Sequence, residues 1–173
     1  MSLNGNPMKI LIVSQIFYPT KNKDYGIKEA ILDLAEKGNK ICVISSKSSE
    51  DADFNHENVT MHYINQDKFI GSGEWAYVFH NISFMLKAIQ MGPGLTNDFD
   101  KVVAVVPTCF AAIAGKMLAK KSPKAEFCLD VKEPWVESAV ASGYIKNGSP
   151  IFKAAKIVEN YILNGTPRYS LGG

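Results

Sequence analysis

No apolar run in this 173-residue chain approaches the roughly 18 residues that a membrane-spanning helix needs, and the N-terminus has no hydrophobic signal core. A cytoplasmic protein is the expectation. Charge of one sign is scarce too. Against 17 acidic residues stand 19 basic ones, a net charge of +2, which gives no electrostatic case for nucleic acid. The three cysteines, Cys42, Cys109 and Cys128, form an odd set without Cys-x-x-Cys spacing. Cys42 and Cys128 sit inside strand-like runs, so buried, reduced thiols are expected rather than disulfides. His56, His62 and His80 are scattered over a polar loop, a strand and a helix, and no metal site is expected from them. No Gly-x-Gly-x-x-Gly follows the first strand, and no Gly-x-x-x-x-Gly-Lys-Ser/Thr occurs. Dinucleotide-dependent oxidoreductases and P-loop nucleotidases are therefore disfavoured. Internal repeats and low-complexity tracts are absent as well.

What is present is a regular alternation. The apolar fraction, 46%, is that of a globular protein, and the length suits one domain. Lys9 to Ser14 is a continuous apolar run, the mark of a strand buried on both faces of a parallel sheet. Ile27, Ala30, Ile31, Leu34 and Ala35 follow at helical spacing, and Gly38 supplies the stop. Lys40 to Ser45 and Val59 to Ile64 read as strands, and Glu74 to Met91 as a helix ending at Gly92-Pro93-Gly94. Lys101 to Val106 is a fourth strand, 107–121 a small-residue helix opened by Pro107 near its first turn, and Glu126 to Val131 a fifth strand. Ser149 and Pro150 begin a last helix in which Ile151, Ala155, Val158 and Ile162 share one face.

Strands alternating with helices predict an α/β, doubly wound, Rossmann-like parallel sheet of order 3-2-1-4-5. It is expected over residues 9–163, with 1–8 an expression leader or disordered N-terminus and 164–173 a tail.

Such sheets bind ligands at the carboxyl ends of the strands where the strand order reverses. Three segments should converge there: the loop from Gln15 to Tyr25, Pro107 with Thr108, and Lys132 to Trp135. The candidates that line this cleft are Gln15, Phe17, Tyr18, Thr108, Lys132, Glu133 and Trp135. Thr108 is suited to meeting a ligand hydroxyl or to starting its helix. Glu133 is suited to orienting a hydroxyl or to an ion pair with Lys132, and it is the one candidate for a catalytic carboxylate. Trp135 is a packing surface or a sugar-stacking one. Lys21, Lys23 and Gly26 are candidates for binding phosphate at a helix N-terminus, and a solvated polar loop is the alternative for both lysines. Trp75, Val78, Phe79, Ile82, Met85, Leu86 and Ile89 make a broad apolar stripe, either core or, at Trp75 and Phe79, a membrane contact.

Several of these segments share wording with one family. Leu129-Asp130-Val131-Lys132-Glu133-Pro134-Trp135-Val136-Glu137-Ser138 resembles the "[E/D]-V-R-D-L-W-P-E-S" segment of bacterial family-4 glycosyltransferases. Those are two-domain GT-B enzymes of capsule, O-antigen and exopolysaccharide biosynthesis. Ser14 to Pro19 is similar to the family's "S/T-Q-Y-F-x-P", and Leu34 to Ser45 to its "L-A-x-R-G-H-x-V-x-V-x-T/S". Asn81 to Lys87 is similar to a "y-L-S-F" helix, and Val105 to Thr108 to its fourth-strand end. The departures are specific. Lys132 and Glu133 replace Arg-Asp, Pro134 replaces Leu, and Val136 replaces Pro. A family Gly-Gly turn has only Gly26 here.

The resemblance spans Lys9 to about Leu163. It implies the N-terminal, acceptor-side half of a retaining, metal-independent transferase that uses a sugar nucleotide as donor substrate and no cofactor. The partners it implies are that sugar nucleotide and a lipid-linked or oligosaccharide acceptor. Peripheral contact with the inner face of the plasma membrane is expected, with no nucleic acid. A C-terminal donor-binding domain is expected to be absent, so the chain alone should fold without catalysing transfer. The alternative is a non-catalytic or split-enzyme subunit that recruits a separate donor-binding chain to the membrane.

Overall fold

The structure is a computed structural model that describes residues 6–17, 26–47, 53–66, 72–95, 98–164, 166–168 and 171. Five strands form one all-parallel sheet: β1 (Lys9–Ser14), β2 (Lys40–Lys47), β3 (Val59–Asn65), β4 (Lys101–Val106) and β5 (Glu126–Val131). Their order is β3-β2-β1-β4-β5, as the alternation of elements predicts. The register runs Lys9 with Lys40 to Ser14 with Ser45 across β1 and β2, and Ile10 with Lys101 across β1 and β4. Because every connection is a crossover, each strand carries apolar side chains to both faces.

Alternation within the strands divides the core. Ile10, Ile12, Val103 and Val105 project to one face, under helix α1 (Ile27–Glu36) with its Ile27, Ile31 and Leu34. Leu11, Val13 and Val102 project to the other, under α2 (Glu74–Met91) and α3 (Cys109–Ala119). Farther along that second face, Ala104, Val106 and Leu129 meet α4 (Trp135–Ala141) and α5 (Pro150–Leu163). Gly115 brings α3 onto the sheet. A Cβ there would lie 2.9 Å from that of Ala104 and 3.2 Å from the Phe127 ring. Gly38, with φ of +87°, turns the chain out of α1 as the glycine stop requires.

The chain closes over β5 as well: the Leu129 N–H donates to the Pro167 carbonyl at 2.9 Å, and Arg168 bridges Leu129 in parallel. Among the described residues no helix is long and apolar enough to cross a membrane.

Four sequence expectations need correction. Helix α3 starts at Cys109, not Pro107, because Thr108 is extended (φ −117°, ψ 120°) and acts as the N-cap. Helix α4 is absent from the sequence reading; it begins directly after Pro134, its N-cap, which is extended (φ −62°, ψ 121°) and three residues past the end of β5. In α5, Val158 is 37% exposed, and the buried positions are Ala155, Glu159 and Ile162. In α2 the inward residues are Asn81, Phe84 and Ala88, which corrects the reading of the whole stripe as core; Trp75, Phe79 and Leu86 stand 65%, 63% and 50% exposed, as the membrane-contact alternative requires at Trp75 and Phe79.

Candidate functional site

The strand order reverses between β1 and β4, so their carboxyl ends lie side by side with no strand between them. Ser14 closes β1 and is held locally, its hydroxyl donating to the Ile16 carbonyl at 2.6 Å. Gln15 follows, and its amide nitrogen reaches Gln66 at 3.5 Å. Gln66 lies just past β3 and ties three elements together. Its side-chain oxygen accepts from Ser46 of β2 at 3.0 Å, and its amide donates to the His80 carbonyl of α2 at 3.0 Å. A chain of amides and hydroxyls therefore lines the carboxyl edge of the sheet.

Two atoms in this region stand out. Gln15 Oε1 and Thr108 Oγ1 are buried and have no hydrogen-bond partner among the described residues. Thr108 caps no backbone N–H of α3 with its side chain, although it occupies the N-cap. Buried polar atoms are otherwise almost always paired, and leaving one unpaired costs about 1–3 kcal/mol. Both atoms flank the reversal.

The third wall comes after β5. The backbone N–H of Lys132 donates to the Val106 carbonyl at 3.0 Å, which draws the end of β5 against that of β4. The Lys132 ammonium pairs with Asp130 at 2.9 Å, so its ion pair is with Asp130 rather than with Glu133. Asp130, opposite Val105 in the ladder, also accepts from the Leu171 N–H at 3.4 Å. Glu133 accepts from the Ser138 hydroxyl at 2.8 Å, a bond that pins the first turn of α4.

Trp135 is 3% exposed, so of its two open roles the structure places it in packing. Its indole N–H donates to the Tyr77 hydroxyl at 3.1 Å, and Phe110 meets its ring edge-on at 5.5 Å. Tyr77 in turn stacks on Tyr144 at 4.8 Å, and its burial pushes its phenol pKa up.

Phe17 is the other cleft candidate that turns inward. It is 3% exposed in the core under α1, with Phe54 edge-on at 5.3 Å. Gly26 is the N-cap of α1 with φ of +61°, and a Cβ there would meet nothing within 4 Å. Tyr18, Lys21 and Lys23 lie outside the described residues.

No protein-family model and no curated protein matches this chain.

The chemistry on offer is that of hydrogen bonding rather than of a primed nucleophile. Burial pushes the Cys42 thiol up to about 12, and the Cys109 thiol, at the start of α3, up to about 12, so both are protonated and inert at neutral pH. His80, on α2, has its pKa lowered by burial and then by Lys87, so its imidazole is neutral there. Among the described residues no three His, Cys, Asp or Glu side chains gather as metal ligands do. Gln66 and Asp130 belong to the site and were not among the sequence candidates. Gln66 follows edge strand β3, away from the reversal, and Asp130 lies inside β5 rather than past its end, so neither stands where the strand-end rule looks.

Proposed function

We propose that this chain is the acceptor-side domain of a retaining, sugar-nucleotide-dependent glycosyltransferase of surface-polysaccharide biosynthesis. The observation that carries the reading is the pair of unpartnered buried atoms, Gln15 Oε1 and Thr108 Oγ1, at the strand ends where the order reverses. An amide oxygen takes donors, and a threonine hydroxyl both gives and takes. A polyhydroxylated ligand supplies that mixture, since each sugar hydroxyl is both donor and acceptor. The Gln15 and Thr108 loops are also two of the segments that resemble family-4 glycosyltransferases. In this reading the crevice positions an acceptor hydroxyl, and a donor-holding domain supplies the charge that meets the leaving diphosphate. Exposed Trp75 and Phe79 are the candidates for peripheral contact with the inner face of the plasma membrane.

One observation favours the second reading, a non-catalytic or split-enzyme subunit. Lys132, Glu133 and Trp135, the candidates of the most specific segment, all make structural contacts, to Asp130, Ser138 and Tyr77.

Calorimetric titration of the chain with UDP-, GDP- and dTDP-sugars, beside a transfer assay on lipid-linked acceptors, tests the proposal. Neither micromolar donor binding nor turnover is expected from this chain alone. Either result would show that the donor side has been misassigned. Activity gained on adding a separately expressed donor-binding chain would favour the split-enzyme reading.

A further inference from the structure

A concavity lies away from the β1–β4 reversal and is independent of the function proposed above. Helices α3 and α5, with Phe127 of β5, line a groove of about 460 Å³. That volume falls in the range of about 300–1,000 Å³ typical of small-molecule sites. Met117, Phe127, Ile157 and Tyr161 are among the apolar side chains that line it. Three of these remain open to solvent, with Met117 at 47%, Ile157 at 71% and Tyr161 at 72% exposure.

The charge around the groove has one sign. Lys116 in the last turn of α3 and Lys120 at its C-cap are, among the described residues, its only ionisable lining residues other than Tyr161. Lys116 leans across the groove, its ammonium 5.4 Å from the centre of the Tyr161 ring. Neither lysine has an ion pair among the described residues, whereas Lys156 on the same helical layer is bound by both Glu137 and Glu159. An apolar trough closed by two unpaired ammonium groups complements a molecule with a hydrocarbon body and one compact anionic end.

We propose that the α3–α5 groove binds a fatty-acid anion of about twelve carbons, with its chain along the apolar floor and its carboxylate against Lys116 and Lys120. Lysine suits this task as a flexible point charge that needs no fixed bidentate geometry. A concave site between two helices also suits a single chain better than the plane of a bilayer.

The test is calorimetric titration of monomeric dodecanoate, below its micelle concentration, into the full chain. Two variants accompany it, Lys116→Gln/Lys120→Gln for the head and Ile157→Asp for the floor, each checked for native folding by circular dichroism. Both alter exposed residues, so folding should survive. Saturable one-to-one binding is expected, weakened about tenfold in either variant, as losing a charge-assisted contact or an apolar one implies. Dodecyl maltoside, a neutral amphiphile of the same chain length, should bind far more weakly than dodecanoate. The proposal is overturned by an absence of saturable binding, by equal affinity in wild type and variants, or by equal affinity for the neutral amphiphile. It is overturned as well if a Trp75→Ala/Phe79→Ala chain, which lacks the aromatic pair of α2, still floats with anionic vesicles while ignoring the monomer, which would assign the lysines to a bilayer surface.

Discussion

Thr108 sets the residue-scale question. A hydroxyl that is 7% exposed at residue level and unpartnered destabilises the fold unless something binds it. Thr108→Val keeps the shape and removes the hydroxyl. If the hydroxyl serves a ligand, the variant should be as stable as wild type or more so, while saccharide binding falls by about tenfold, the worth of one hydrogen bond to a ligand hydroxyl. Paired thermal melts and saccharide titrations check this. A loss of stability with binding unchanged would instead make Thr108 a structural residue with a partner of its own. Sequence reasoning reached Thr108 and Gln15 because each follows an apolar strand. It could not separate Phe17 from them, since an aromatic after a strand is equally suited to cleft or core. The ring turns inward because Phe54 and the α1 face offer it an apolar pocket.

At the scale of elements, α4 depends on a carboxylate from another helix. Glu159 of α5 is 2% exposed, accepts from the Val136 N–H of α4 at 3.0 Å, and is paired with Lys156 at 2.8 Å. Glu159→Ala leaves that N–H without its acceptor and Lys156 with Glu137 alone. A loss of about 1–3 kcal/mol in chemical denaturation is expected, with Glu159→Gln, which keeps an acceptor, costing less. Equal losses in both variants would show that charge rather than capping is what matters.

Helix α2 carries two further tests. At its start, Glu74 accepts from the Ser149 hydroxyl at 2.6 Å and the Lys146 N–H at 2.8 Å, clasping α2 to the turn before α5. These bonds, the hydroxyl's first, hold its carboxyl pKa below 4.5. A depressed folded-state pKa contributes stability above the ordinary value and loses it as the pH falls through the lowered one. The melting temperature of Glu74→Gln should therefore lie below that of wild type at neutral pH, and the gap should close in acid. A gap that persists unchanged would remove the carboxylate charge from the account.

On the solvent side of the same helix, Trp75 and Phe79 stand 6.1 Å apart, centroid to centroid. Each aromatic buries about 150–250 Å² when covered, and at about 25 cal/mol per Å² the pair is worth several kcal/mol before immobilisation costs. Wild type should float with liposomes and Trp75→Ala/Phe79→Ala should not. Equal partitioning would leave the pair to a protein contact. Strands β1 and β4 were legible as continuous apolar runs because a strand buried on both faces carries almost no polar positions, whereas edge strand β3 was legible from its β-branched and aromatic residues. Helix α4 was not, because its seven residues follow a charged packet and are too short for a periodic signal.

For the whole molecule, the sheet order was legible because right-handed crossovers leave few alternatives once strands and helices alternate. The exposed large apolar side chains follow no such rule. Among the described residues, those of Trp75, Phe79, Leu86, Met117, Ile157, Val158 and Tyr161 lie on α2, α3 and α5, the helices of one face, Tyr144 lies in the turn after α4, and none lies on α1. No periodicity within a single helix could reveal this asymmetry, because it arises from the way three helices pack on one side of the sheet.

The central claim, a saccharide-binding crevice at the β1–β4 reversal, has one most direct measurement. It is the amide chemical-shift map of the folded chain, titrated with mono- and disaccharides and separately with sugar nucleotides. The account expects saccharides to shift Gln15, Gln66, Thr108 and the residues from Asp130 to Glu133 together, with little response to the nucleotides. Shifts confined to other faces of the sheet, or micromolar saturation by a sugar nucleotide, would contradict it.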